Sequence, residues 1–203
     1  MAKRLFDLLA SAAALALLAP LLLALALWIV LDSGRPVLYR QQRVGRHGRP
    51  FRIHKFRTMR AGADRLGPLL TVGDDARVTR SGRFLRHWRL DELPQLIDVL
   101  LGDMSLVGPR PEVPRYLDRV PAALRERVLA VRPGITDPVS LAHVDEAALL
   151  AAAADPEREY VEVILPRKLQ AAADYADRAT LWSDLGVLAA TLQLLVARRA
   201  PQA

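Results

Sequence analysis

A mainly α-helical fold with one small β-hairpin, tied to a membrane by its amino-terminal segment, is the class this sequence predicts. Three observations predict it. Leu8 to Leu31 is a run of 24 residues without a charge. Two short β-prone runs flank a turn-rich loop at 43–50, and the later apolar stretches have helical length and punctuation. The 203-residue chain is 52% hydrophobic but only 5% aromatic, and it has no cysteine. That composition excludes a disordered chain, a disulfide scaffold, a thiolate nucleophile and a Cys-ligated metal centre. One long apolar run does not make a polytopic membrane bundle.

The amino-terminal run comes first. As a helix it would be about 36 Å long, enough to cross a bilayer core of about 30 Å. A cleaved signal peptide fits poorly, because the run continues past Ala24-Leu25-Ala26 through Trp28-Ile29-Val30-Leu31. Pro20 divides it into Leu8–Ala19 and Leu21–Leu31. Proline lacks an N–H and crowds the carbonyl four residues back, that of Ala16, so a kink is expected. Lys3 and Arg4 precede the run. Residues 32–60 follow it with nine basic residues against Asp32 alone. Positive flanks stay cytoplasmic. A helix that dips in, turns at Pro20 and returns keeps both flanks on one side, whereas a straight span exports one. Both topologies stay open at this point, and the re-entrant one is the expectation. Residues 1–33 form this membrane region, 34–138 a core, and 139–203 a carboxyl-terminal helical region.

In the core, Val37-Leu38-Tyr39 and Phe51-Arg52-Ile53 are predicted to pair across the loop Arg43–Pro50 as a hairpin. Lys55 follows, one of three lysines beside 26 arginines. A compact ammonium suits phosphate, although composition alone would also place one here. Arg77, Arg80, Arg83, Arg86 and Arg89 recur every third residue, either as a solvated helix face or as cations aimed at the acid pair that follows. Asp91 to Gly102 is predicted as a helix with Asp91 as N-cap, Pro94 in the first turn and Gly102 as the stop. Two carboxylates, Asp91 and Glu92, then sit where backbone N–H groups keep an acid ionised and attract phosphate. An ionised carboxylate beside a Mg²⁺-bound phosphate is a workable nucleophile; an ordinary capped helix is the plainer alternative. Gly108-Pro109-Arg110-Pro111 fixes a rigid turn that presents one guanidinium. His47, His54, His87 and His143 lack metal-ligand spacing, and no nucleotide-binding glycine loop is present.

Further on, Ala122–Val131 and Asp145–Ala154 read as helices. Glu159–Ala173 is expected to break at Pro166. Leu181–Ala197 reads as an apolar helix lying at the membrane interface or docking on the core.

Assembled in order, the motifs resemble a known family. Lys3-Arg4-x-x-Asp7 is followed by Pro20 in the apolar run and Gly34-x-Pro36-Val37. Then come Phe51-x-Ile53-x-Lys55-Phe56-Arg57-Thr58-Met59 and Arg83-Phe84-Leu85-Arg86. Leu90-Asp91-Glu92-Leu93-Pro94-Gln95-Leu96 and Gly102-Asp103-Met104-Ser105-Leu106-Val107-Gly108-Pro109-Arg110-Pro111 complete the series. They are similar to the bacterial sugar transferases, the monotopic phosphoglycosyl transferases, over about residues 1–138. The resemblance implies transfer of a sugar-1-phosphate from a UDP-sugar to a membrane polyprenyl phosphate, with Mg²⁺ as cofactor and UMP as leaving product. It implies Asp91 as nucleophile, through a covalent phosphosugar intermediate, and Glu92 as its catalytic partner, the two also holding the metal. Lys55, Arg57, Arg86 and Arg110 become the candidate phosphate contacts and Pro20 the membrane break. It places the chain at the inner leaflet of the bacterial cytoplasmic membrane with the catalytic core in the cytoplasm. It implies no nucleic-acid partner and leaves room for a homodimer. Two positions depart from the family pattern: Ala19 stands where serine often precedes the proline, and Asp137 where glycine commonly follows Pro133-Gly134-Ile135-Thr136. The competing class is a non-catalytic, membrane-tethered module that binds anionic lipid or nucleic acid through the basic block. It needs no acid pair and lacks the aromatic platforms that single strands require.

Overall fold

The structure, a computed structural model, describes residues 2–63, 75–142, 149–150 and 152–197. His143 and half of the helix expected over Asp145–Ala154 lie outside the described residues. Helix α1 (Ala2–Ser33) runs unbroken in secondary structure for 32 residues, with Pro20 inside it. Among the described residues it is the helix long and apolar enough to cross a membrane, and only 11% of its most apolar window is buried. Strands β1 (Leu38–Val44) and β2 (Pro50–Phe56) pair antiparallel from Leu38↔Phe56 to Val44↔Pro50. This is the predicted hairpin, except that Val37 lies outside β1; β1 runs on to Val44, and β2 begins one residue earlier and runs on to Phe56. Helix α2 (Arg80–His87) follows, then a 3-10 turn Leu90–Glu92, then α3 (Gln95–Leu101). Strand β3 (Ser105–Val107) pairs parallel with β4 (Gly134–Thr136). Between them lie α4 (Pro114–Leu117) and α5 (Ala122–Leu129). The chain continues through α6 (Pro138–Ala142), α7 (Pro156–Glu159), α8 (Leu165–Ala176) and α9 (Leu181–Ala197).

Pro166 does not break its segment. It occupies the first turn of α8, where its missing N–H is tolerated, and the chain approaches it through a π-turn at Tyr160–Ile164. The last helix has the bounds expected from the sequence.

Three apolar clusters hold these elements together. Val113, Tyr116, Val128, Ile164, Leu165 and Leu169 join α4 and α5 to α8. Phe51 and Ile53 of β2, Leu96 and Val99 of α3, Leu106 of β3 and Val187 of α9 form a second, on which Phe6, Ala10 and Ala14 of α1 rest. Leu25 and Ile29 of α1 form the third with Phe56 and Leu85. Leu85 and Ile29 are fully buried, and each such side chain contributes about 1.5–3 kcal/mol.

The two ends of α1 are thus fastened to one globular body. At the amino end, Arg4 donates to the Val99 carbonyl (2.6 Å) and the Leu100 carbonyl (3.2 Å) of α3. Asp7 accepts from Ser105 Oγ (2.8 Å) and Leu106 N (3.3 Å), and Lys3 pairs with buried Asp184 of α9. At the carboxyl end, Asp32 caps the start of α2 by accepting from Ser81 N (2.9 Å) and Ser81 Oγ (2.7 Å). Between the anchors, Leu17 and Leu23 are exposed by 81% and 72%.

Candidate active site

The acid pair lies on the 3-10 turn, not at the mouth of α3. Arg89 enters that turn with φ +56°, and Pro94 is the residue preceding α3. Asp91 therefore does not cap the helix as expected. The left-handed Arg89 and the tight turn swing both carboxylates inward, where Asp91 is 2% and Glu92 7% exposed.

Buried carboxylates need charge partners. Lys55 Nζ, at the end of β2, lies 2.8 Å from Asp91 Oδ2 and 3.5 Å from Glu92 Oε1. Arg110 donates Nη1 to Glu92 Oε2 at 3.0 Å and Nη2 to Glu92 Oε1. The result is a chain of alternating charge, Asp91–Lys55–Glu92–Arg110. Burial alone would raise the Glu92 pKa, but the Arg110 and Lys55 charges and the Arg110 hydrogen bonds hold it far below the usual carboxylate range. The Arg110 guanidinium is raised in turn by Glu92.

Among the described residues, Lys55 is the partner given to the Asp91 carboxylate, which leaves Oδ1 without a hydrogen bond. An oxygen so placed can meet a phosphorus atom or a hard cation. Both oxygens of Glu92 are engaged. Asp91 thus fits the expected Mg²⁺, which binds through one or two carboxylates plus phosphates and water, whereas Glu92 fits only after releasing a cation. No group of three or more metal-ligating side chains occurs among the described residues.

Two other predicted contacts differ in fate. Arg86 of α2 donates Nε to Thr58 Oγ1 at 2.8 Å. Burial lowers its pKa while the charges of Asp91 and Asp75 pull it back up. α2 can lie this close because Gly82 packs against the Thr58 backbone, where a Cβ would collide. Arg57 turns instead to the end of α1. Its Nη2 donates to the Ser33 carbonyl (2.8 Å), Ser33 Oγ (2.9 Å) and the Gly34 carbonyl (2.6 Å). Its Nε and Nη1 are buried without a partner among the described residues. Arg57 thus fastens the end of α1 to the body.

Several positioning residues escaped the sequence analysis. Asp98 of α3 accepts both the backbone N–H of His54 (2.8 Å) and its ring Nδ1 (2.6 Å). This clamp holds β2, and so Lys55, against the element that follows the acid turn. Arg43 donates to the Pro111 carbonyl at 3.0 Å, and Val44 N donates to the Glu112 carbonyl at 3.0 Å. The hairpin thereby fixes the turn that carries Arg110. No local pattern announces these contacts.

Two cavities are joined by the ion-pair chain: Lys55 lines one, Glu92 and Arg110 line the other. One, of about 220 Å³, is lined by Lys55, Arg57, Arg86, Arg43, Arg60 and Arg77 together with Tyr39 and Gln41. The other, of about 200 Å³, has Glu92, Arg110 and Arg89 at one end and otherwise Leu93, Leu96, Leu106, Ile135, Leu188 and Leu194 among its walls. Its two threonines are satisfied in sequence: Thr136 Oγ1 lies 2.9 Å from Thr191 Oγ1, which donates to the Val187 carbonyl at 2.8 Å.

The bacterial sugar transferase family profile matches residues 1–198. The chain belongs to the bacterial sugar transferase family. Similar members include a UDP-glucose:undecaprenyl-phosphate glucose-1-phosphate transferase of Caulobacter vibrioides, 43% identical over 96% of this chain and 69% of that protein. A UDP-N-acetylgalactosamine-undecaprenyl-phosphate N-acetylgalactosaminephosphotransferase of Aeromonas hydrophila is 37% identical over 96% of this chain. This chain spans 43% of the Aeromonas protein's length. An exopolysaccharide production protein of Rhizobium leguminosarum is 51% identical over 53% of this chain and 54% of its own. Asp137 accepts from Val139 N at 2.8 Å and opens α6.

Proposed function

We propose that the protein transfers a sugar-1-phosphate from a UDP-sugar to a polyprenyl phosphate at the membrane. The observation that carries this is the ion-pair chain that links a cationic cavity, through Lys55, to an apolar one, through Glu92 and Arg110, with Asp91 held on Lys55 and one of its oxygens unengaged. The relatives' names support the same reaction. The basic cavity suits a diphosphate. The apolar one suits the first isoprene units of a lipid whose phosphate meets Arg110.

In this scheme Asp91 Oδ1 attacks the phosphorus that bears the sugar. The bond from that phosphorus to the oxygen of UMP breaks, UMP departs, and the sugar phosphate stays on Asp91 as an acyl phosphate. An oxygen of polyprenyl phosphate then attacks the same phosphorus and the Asp91 carboxylate leaves, giving polyprenyl diphosphate sugar. Lys55 holds the nucleophile in place, and the cations of the basic cavity stabilise the equatorial oxygens. Glu92 keeps Lys55 and Arg110 fixed. When bound, Mg²⁺ would be held by Asp91 and would neutralise phosphate charge.

The membrane segment belongs to the same proposal. Lys3, Arg4 and Asp7 contact the body that also holds residues 32–34, which supports a re-entrant helix turning near Pro20, with the body on the cytoplasmic face of the inner membrane. The chain has no cysteine, so single cysteines introduced near residues 3 and 40 report topology directly. Labelling of both from the cytoplasmic side is expected; labelling from opposite sides would refute the re-entrant path.

The reaction itself is tested by incubating membranes with a panel of UDP-sugars and polyprenyl phosphate. UMP release is expected for one or more donors, falling by about 10³-fold or more in Asp91→Asn. Undiminished release by that variant removes Asp91 as nucleophile. Salt-sensitive DNA binding with no UMP release would favour the non-catalytic module instead.

A further inference from the structure

Strand β3 separates two cavities. Leu106 faces the apolar one, while Ser105 and Val107 face a third cavity of about 330 Å³ on the opposite side, as the two-residue period of a strand requires. This third space has neither Asp91 nor Glu92 in its lining. Lys3, Arg4, Arg46 and Arg132 surround it, against the carboxylates of Asp7 and Asp184.

The four cations are held unequally. Lys3 pairs with Asp184. The three arginines are held by backbone carbonyls. Arg46 donates Nε to the Ala130 carbonyl at 2.9 Å, and Arg132 donates Nε to the Gly102 carbonyl at 2.9 Å. Arg4 uses Nη1 and Nη2 on α3. A carbonyl orients a guanidinium but does not neutralise it. Arg46 and Arg132 are therefore fixed through Nε, with their terminal forks unpaired among the described residues. Asp7 is satisfied by the neutral donors Ser105 Oγ and Leu106 N. A cavity with a positive excess and two immobilised guanidinium forks matches a phosphate bidentately.

Its position selects the source of that phosphate. The cavity lies at the amino end of α1, where Leu5 and Leu9 are exposed by 60% and 64%, and beside the first turn of α9, where Trp182 is exposed by 82%. Exposed leucines next to an exposed tryptophan mark the level at which headgroups meet acyl chains. We infer that this cavity binds the phosphate of an anionic phospholipid headgroup, a second anion site on the face of β3 away from the acid pair. The site stands apart from the transfer chemistry and would survive its refutation, but it rests on the proposed placement of α1 in the membrane.

The test uses the full chain in nanodiscs of phosphatidylcholine with a minority of phosphatidylglycerol, released gently into native mass spectrometry. Retention of one phosphatidylglycerol is expected. The double substitution Arg46→Gln with Arg132→Gln should weaken retention by about tenfold or more. The control is Arg49→Gln with Arg52→Gln, two exposed arginines outside the cavity. It removes the same charge and should retain the lipid. Equal loss in both doubles would reduce the effect to bulk electrostatics and overturn the site. Should the first double prove misfolded by circular dichroism, Arg46→Lys with Arg132→Lys keeps the charge but loses the fork, and unchanged retention there overturns the bidentate site. Titration with inorganic phosphate and with UMP in detergent covers the soluble sources. Binding of either through Arg46 and Arg132, without phosphatidylglycerol retention, overturns the headgroup assignment.

Discussion

The two cavities linked by the Lys55–Glu92–Arg110 chain are of nearly equal size, about 220 and 200 Å³, yet their walls are opposites. One is built by the hairpin, the segment after it and α2, and is lined by guanidinium groups and an ammonium. The other is built by α3, β3, β4 and α9, and its walls away from the ion pair are leucine, isoleucine and hydrogen-bonded threonine. For the proposed reaction, the difference teaches how one nucleophile would serve two phosphates in turn. A charged, water-soluble donor and a greasy acceptor need not compete for the same walls, because only their phosphates have to share a point in space. The Lys55–Glu92–Arg110 chain crosses from one cavity to the other and marks that point.

The comparison breaks most severely if the link between the cavities is cut. Arg110→Ala leaves Glu92 buried with Lys55 as its remaining cation, and Lys55 is then drawn away from Asp91. UMP release should fall by about 10²-fold, and stability by about 2 kcal/mol in urea unfolding at neutral pH. The stability loss should depend on pH. Glu92 titrates below its ordinary value of 4.5 in the folded protein, so the ion pair contributes fully above that value. Its contribution is lost as pH falls below 4.5 toward the depressed folded value. The gap between the native chain and Arg110→Ala should therefore narrow in acid. A gap that is constant or widens there would contradict the buried pair.

A smaller effect sharpens the contrast. Arg86→Gln should raise KM for the UDP-sugar by about tenfold and leave KM for polyprenyl phosphate nearly unchanged. Leu188→Trp, which fills the apolar cavity, should do the reverse and spare the UMP burst seen without acceptor. If both substitutions move the same KM, the division of labour between the cavities is wrong.

What the sequence made legible follows the range of the interactions concerned. The hairpin was readable because Gly45, Gly48 and Pro50 punctuate two β-prone runs locally. Helix α9 was readable from a continuous apolar stretch, and the catalytic candidates from the dense run Leu90–Pro111. The attitude of Asp91 was not readable, because it depends on a left-handed Arg89 that no composition rule requires. Arg57 looked like one more phosphate cation in a basic block. Its bonds to Ser33 and Gly34 depend on where α1 returns to the body, a tertiary fact. The His54–Asp98 clamp joins residues 44 positions apart, and the opposite character of the two cavities emerges only when α9 folds back over β3.

The double fastening of α1 has a consequence for how the molecule meets lipids of different chain length. A spanning helix answers a thicker or thinner bilayer by tilting. A segment bolted near Arg4 and again near Asp32 has no such freedom, since tilting one end would tear the other from its mooring. On the proposed re-entrant path the lipids would have to do the adjusting, thinning or bulging around a wedge whose immersion is dictated by the protein.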